Sequence, residues 1–207
     1  FFNKQKNTEG SSSMAKILGG KGANLAEMAN INIPVPPGFT ISTEVCVYYM
    51  KHGKYPPGCK AEIKANLKKL ETCMNQSFGS NRNPLLVSVR SGARQSMPGM
   101  METVLNVGLT KKTIPGLIKL FKNERFVYDA YRRLIMMYAD VVMEKAEGII
   151  IKSNQLSIRQ ELELILDEIK TKNNILCDSE LTVSHMKKLC TLFKKKIKLK
   201  LGKSFPD

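Results

Sequence analysis

Histidine occurs only twice in the 207 residues, at His52 and His185, and the five cysteines (Cys46, Cys59, Cys73, Cys177, Cys190) form no CxxC pair. That set offers no zinc spacing. An odd number of unpaired cysteines argues for reduced thiols in an intracellular protein, cytoplasmic or organellar, rather than a disulfide framework. No apolar run approaches the roughly 20 residues needed to cross a bilayer. A secretory signal is also missing, although the chain starts at Phe1 and a leader could precede it. No internal repeat is visible, and low complexity is confined to a serine triplet and a lysine cluster. Acidic residues are scarce: 18 Asp and Glu stand against 33 Lys and Arg, a formal net charge of +15. Such a balance favours polyanions, whether nucleic acid, a membrane surface or nucleotide phosphates. Much of the excess sits in residues 187–203, KKLCTLFKKKIKLKLGK. A basic module binding nucleic acid through that face is one alternative, but neither RNP aromatics nor a helix-turn-helix signature accompanies the charge.

What the chain does have is enough apolar content for a core, 43% hydrophobic residues with 25% charged, in a length suited to one domain or a domain with a lobe. The first 13 residues read as a ragged strand and turn. From Leu18 the sequence LGGKGANLAEMAN places a glycine pair at the opening of a short helix, with Leu25 and Met28 on one face. Lys21 then stands in a first helical turn, where the dipole disfavours a cation by about 0.3 kcal/mol or more. A lysine at that position is more useful where an anion also visits, and a solvated lysine beside a turn is the plain alternative. Residues 33–43 carry Pro34, Pro36, Pro37 and Gly38, which pin an extended segment and a turn, and Thr43 can cap a helix over 44–50. An amphipathic helix follows over 60–74, with Ile63, Leu67, Leu70 and Met74 in register.

The chain is organised around residues 85–108, LLVSVRSGARQSMPGMMETVLNVG. Leu85, Val87 and Val89 alternate with Ser88 and Arg90, which predicts a strand over 85–91 with Arg90 leaving it on the face away from the apolar row. A loop with Arg94 and a Pro98-Gly99 turn follows, and residues 101–107 alternate again. A loop so poor in bulk, holding two guanidinium groups, suits a chain lying close against an anion. Beyond Thr110, helices are expected over 111–122, 124–145, 158–170 and 180–200. In the second, Phe126, Ala130, Leu134, Met137 and Val141 form one stripe that Tyr131, Ile135 and Tyr138 widen. Arg133 falls about 60° from the centre of that stripe and Arg132 nearly opposite, so Arg133 is expected at a cleft edge, held by its neighbours. Its plainer use is an ion pair with Asp129 or Asp140. For Arg90 the plainer use is a surface salt bridge at a strand end. Met97, Met100 and Met101 read as gap-filling side chains. His185 reads as surface or packing, and residues 202–207 as a chain end with no closing element.

Four stretches, ILGGKGANLAEM (17–28), IPVPPGFTIST (33–43), SVRSGARQSMPGMMETVLNVG (88–108) and RFVYDAYRRLIMMYADVVM (125–143), together resemble the pyruvate, phosphate dikinase family, specifically the start of its ATP-grasp nucleotide-binding domain. The phosphoenolpyruvate synthases share the GGK and VRS elements, but the SMPGMMETVLN continuation is similar to the dikinases. The resemblance implies an α+β fold, a partial ATP-grasp-type domain with a small β-sheet lobe over 1–109, a mainly helical lobe over 110–200, and in 201–207 the start of a return to the first lobe. It implies a transferase that converts ATP, phosphate and pyruvate to AMP, pyrophosphate and phosphoenolpyruvate through a phosphorylated histidine. The TSH-type motif of that histidine does not occur in this sequence, so no catalytic residue is assigned here. By the same resemblance Lys21, Arg90 and Arg133 grip the ATP phosphates, Arg94 orients the loop, and Gly99, Met100, Met101, Glu102 and Thr103 line it beside the γ-phosphate. Phosphoryl transfer rests on positioning and on cancelling charge on phosphate oxygens, which arginine forks and a lysine point charge supply. The family's Mg²⁺ ligands are expected downstream, no metal ligand is assigned here, and the full enzyme is expected to be a homo-oligomer. This portion alone is expected to be inactive. No membrane partner is expected.

Overall fold

The computed structural model describes residues 1–3, 8–92, 103–146, 148–149 and 155–207. It is an α+β structure in which short strands accompany seven α-helices among the described residues. The chain divides into two compact units, Phe1–Gln76 with Arg90–Glu102, and Ser77–Val89 with Thr103–Asp207.

In the first unit Phe2 and Gly38 form an antiparallel bridge, each N–H donating to the other's carbonyl at 2.8 and 3.0 Å. Helix α1 (Ala15–Asn30) is broken at Gly19, whose φ of 70° and ψ of 163° lie in a region that only glycine visits freely. The glycine pair therefore does open a helical segment, as its position in the sequence indicates. Gly22, Ala23, Ala26 and Ala29 make a buried small-residue face on α1. A Cβ on Gly22 would meet the Thr40 side chain at 2.8 Å, so the residue permits the close approach of α1 to the proline-pinned segment. Helix α2 (Thr43–His52) starts one residue earlier than its pattern suggests. Thr43 is not its cap: the N-cap is Ser42, and the Thr43 hydroxyl donates to the Lys16 carbonyl at 2.7 Å, tying α2 to α1. Helix α3 (Cys59–Met74) buries Cys59 and Leu70, while Met74 stays exposed. A small core of Phe2, Ala29 and Val35, with Leu25 against it, closes this unit.

In the second unit β1 (Ser77–Phe78) pairs in parallel with β2 (Pro84–Leu85), and β3 (Val87–Arg90) pairs with β4 (Thr103–Val107). The single strand expected over 85–91 is thus two strands interrupted at Leu86. Val89 is exposed where the alternation had it in an apolar row with buried Leu85. Helices α4 (Ile114–Phe121) and α5 (Glu124–Tyr138) follow, with Pro115 in the first turn of α4, and α5 runs on as a π-helical turn over Ala139–Lys145. Helix α6 (Ile158–Lys172) and helix α7 (Val183–Leu201) complete the unit.

The main core lies here. Leu134 and Ile135 of α5 pack with Ile158 and Leu162 of α6 and with Met186, Leu189, Phe193 and Ile197 of α7. The N-terminus of α6 receives a carboxylate from outside the helix. Buried Glu144 accepts the Ile158 N–H with both oxygens, at 2.8 and 3.1 Å, beside a Ser157–Gln160 capping box. His185 has a capping role as well. Its Nδ1 accepts the Thr182 N–H and its own N–H donates to Thr182 Oγ1, both at 3.3 Å, at the start of α7. The segment after α7 does close onto the core: Phe205 is buried edge-on to Tyr131 and Tyr138, at centroid distances of 6.5 and 5.6 Å. All five cysteines are free thiols. Among the described residues no helix is long and apolar enough to cross a membrane.

Candidate functional site

The break at Gly19 places Lys21 at the beginning of the second segment of α1. From there its Nζ donates to the Ser91 carbonyl at 3.0 Å, across 70 residues of sequence. Lys21 therefore sits one residue from Arg90, which is exposed at the end of β3. Thr103, half-buried, opens β4. Arg94, Gly99, Met100, Met101 and Glu102 lie outside the described residues.

Arg133 belongs to the second unit and its orientation differs from expectation. The buried face of α5 is Val127, Tyr131, Leu134 and Ile135, with Phe126 exposed. Leu134 and the widening residues Tyr131 and Ile135 of the expected stripe are buried, while Phe126 is not, so the buried face is shifted toward the Tyr131–Ile135 side. Apolar residues cover a broad arc of this helix, with Arg125, Asp129, Arg132 and Arg133 on the remaining side, and packing of α7 selects which part of the arc faces inward. In consequence Arg132 is buried, whereas the Arg133 side chain is 60% exposed. The two arginines share Asp129: Arg132 donates to Oδ1 from Nη2 (2.7 Å) and Nε (3.1 Å), and Arg133 donates to Oδ2 from Nε at 3.0 Å. Arg132 also reaches Asp178 Oδ2 at 2.9 Å, and Lys170 reaches Asp178 Oδ1 at 3.2 Å. Arg125 donates to the Leu181 and Asp178 carbonyls at 2.7 and 2.6 Å. Burial by itself would raise the Asp178 carboxyl, but the hydrogen bond from Lys170 and the charge of Arg132 hold it below the usual carboxylate range.

Asp129 was legible in the sequence as the residue four before Arg133. Asp178 was not, because 46 residues separate it from Arg132. A cleft of about 620 Å³ lined by Tyr49, Lys54, Tyr55 and Lys60, among others, contains none of the predicted site residues. It lies at the turn between α2 and α3, and the polar chemistry of the predicted site is not there. Among the described residues no cluster of His, Cys, Asp or Glu could hold a metal ion.

Residues 15–75, which contain the broken helix and Lys21, match the family model described as pyruvate phosphate dikinase, AMP/ATP-binding domain. The chain is 44% identical over 192 residues to the pyruvate, phosphate dikinase of Giardia intestinalis, covering 93% of this chain and 20% of that protein. It is 43% identical over 201 residues to that of Clostridium symbiosum, covering 96% of this chain and 22% of the relative. Over nearly its whole length the chain is similar to pyruvate, phosphate dikinases. Pyruvate, phosphate dikinase 2 of Zea mays is 42% identical over 207 residues, covering 100% of this chain and 22% of the relative, so Arg90 and Arg133 fall within the similarity. The chain spans about a fifth of the length of the curated dikinases it matches.

Proposed function

We propose that this chain supplies phosphate-binding residues of an ATP-grasp-type nucleotide site and serves, as an amino-terminal portion, in the dikinase reaction. Lys21, Arg90 and Arg133 bind ATP phosphate oxygens, and Arg94 with residues 99–103 shapes the loop beside the γ-phosphate. Residues 1–109 and 110–200 act as two lobes, with 201–207 as the start of a return segment. The observation that carries the reading is the 3.0 Å contact from Lys21 to Ser91, which brings the GGK element to the VRS element. The 15–75 family-model match, described as an AMP/ATP-binding domain, supports it. Phosphate, pyruvate and the rest of a dikinase chain are the further partners, and a homo-oligomer is the working assembly. A magnesium ion would enter with the nucleotide, on ligands from elsewhere in the enzyme.

Titration calorimetry with Mg-ATP tests the phosphate role. The isolated chain is expected to bind weakly, and Lys21→Ala and Arg90→Ala to weaken binding roughly tenfold or more, the worth of a charge-assisted contact. Measurable affinities that are equal in wild type and Arg90→Ala would remove the reading.

A further inference from the structure

The chemistry of Arg133 as a phosphate ligand requires an exposed guanidinium that is nevertheless held in one orientation. A surface arginine samples many rotamers and loses that freedom when it binds. In α5 the constraint is already present. Asp129 and Arg133 are separated by one helical turn, so the two side chains meet on one face. Asp129 accepts from Nε of Arg133 at 3.0 Å, while Asp178 Oδ2 stands 3.9 Å from its Nη2; the Nη1–Nη2 fork is the edge that meets two phosphate oxygens.

Asp129 is in turn fixed from beneath. Its other oxygen takes two hydrogen bonds from Arg132, a side chain only 3% exposed. Arg132 is immobilised by Asp178, which stands on the turn between α6 and α7 and is bound by Lys170 on its second oxygen. Asp178 is shared by Arg132, Lys170 and, at 3.9 Å, Arg133 Nη2, whereas Asp129 is the carboxylate that takes the Nε–H of Arg133. From this geometry we infer that Asp129 is a positioning residue for Arg133, and that buried Arg132 acts as the anchor holding Asp129 in place. The inference rests on the proposed phosphate role of Arg133 and adds to it the part that sets the arginine's direction.

Nitrogen-15 NMR of the Arg133 Nε–H group in this chain provides the test. In wild type that proton exchanges with water more slowly than the Nε–H of exposed Arg82. Asp129→Asn, which no longer offers two charged oxygens, raises the exchange rate to that of Arg82, and Asp129→Glu restores part of the protection. Asp178→Asn removes the other carboxylate from Arg132 and the 3.9 Å ion pair at Arg133 Nη2 but keeps the Asp129–Nε bond. The Nε–H of Arg133 therefore stays protected, which separates positioning by Asp129 from general loosening of the fold. Thermal unfolding of each variant is recorded alongside. Fast exchange in the wild type overturns the inference without any variant, and so does equal loss of protection in Asp129→Asn and Asp178→Asn. Mg-ATP is then added. A shift of the wild-type Arg133 signal, with affinity between about twofold and tenfold weaker in Asp129→Asn, supports positioning, as expected for one newly ordered side chain. A shift at equal affinity in both proteins overturns it. An unshifted Arg133 signal in the wild type instead removes the phosphate role on which the inference rests.

Discussion

Arg132 is the most consequential single side chain in the helical unit, being 2% exposed and shared by Asp129 and Asp178. A buried guanidinium is tolerated only when its hydrogen bonds and charge are met. Arg132→Met removes the cation and leaves two carboxylates facing each other without it. Breaking such a pair is expected to lower stability by about 3 kcal/mol, the low end of the range for buried pairs because both aspartates keep some exposure. Urea unfolding measures it, and an unchanged midpoint would mean that the triad adds nothing to stability. The charge pair thus couples the stability of α5 to the direction of Arg133, one residue further along.

Two element-scale features depend on single residues. The break in α1 requires a backbone conformation at Gly19 that costs a non-glycine residue about 1–3 kcal/mol. Gly19→Ala is expected to lower the urea midpoint accordingly, and to weaken the Lys21–Ser91 contact because Lys21 follows the break by two residues. Helix α6 begins at Ile158, whose buried N–H is satisfied by Glu144. Glu144→Ala leaves that donor without a partner, at an expected cost of about 1–3 kcal/mol. Amide hydrogen exchange at Ile158 is the specific measurement: it accelerates in Glu144→Ala, and protection equal to wild type would assign the cap to Ser157 alone.

At the scale of the molecule, acid stability is set by carboxylates held ionised by nearby cations. Burial would raise the Asp207 carboxyl, but hydrogen bonds from Lys194, Tyr131 and Lys111 bring it down to about 2. Hydrogen bonds from Lys196 and Lys200 likewise hold Glu161 below its ordinary value. A carboxyl whose folded pKa is depressed contributes stability that is fully present above its unfolded value, about 3.9 for an aspartate, and lost as pH falls through the folded value. Melting temperature is therefore expected to be level down to about pH 5 and to fall between there and about pH 2. Asp207→Asn flattens the lower part of that limb, and a slope unchanged by this substitution would deny Asp207 its share. The same residue shows how the tail after α7 is secured, with Phe205 in the core and Asp207 on Lys111 and Lys194 at 3.0 and 2.7 Å.

By itself the sequence determined the helical segments, the glycine pair that opens the second segment of α1, and the motif set that resembles the dikinases. These are local properties: periodicity, glycine conformation and residue identity need no knowledge of distant neighbours. Only the tertiary structure decided which face of α5 is buried, and hence that Arg132 goes inside while Arg133 stays out. It also decided that the central strand breaks at Leu86, and that Thr43 bonds α1 instead of capping α2. The apolar arc of α5 is broad, with Arg125, Asp129, Arg132 and Arg133 on the remaining side, so periodicity leaves open which part of that arc is buried deepest and which arginine at its border goes inside. The buried side is chosen by α7, whose packing residues lie more than 50 positions away in the chain.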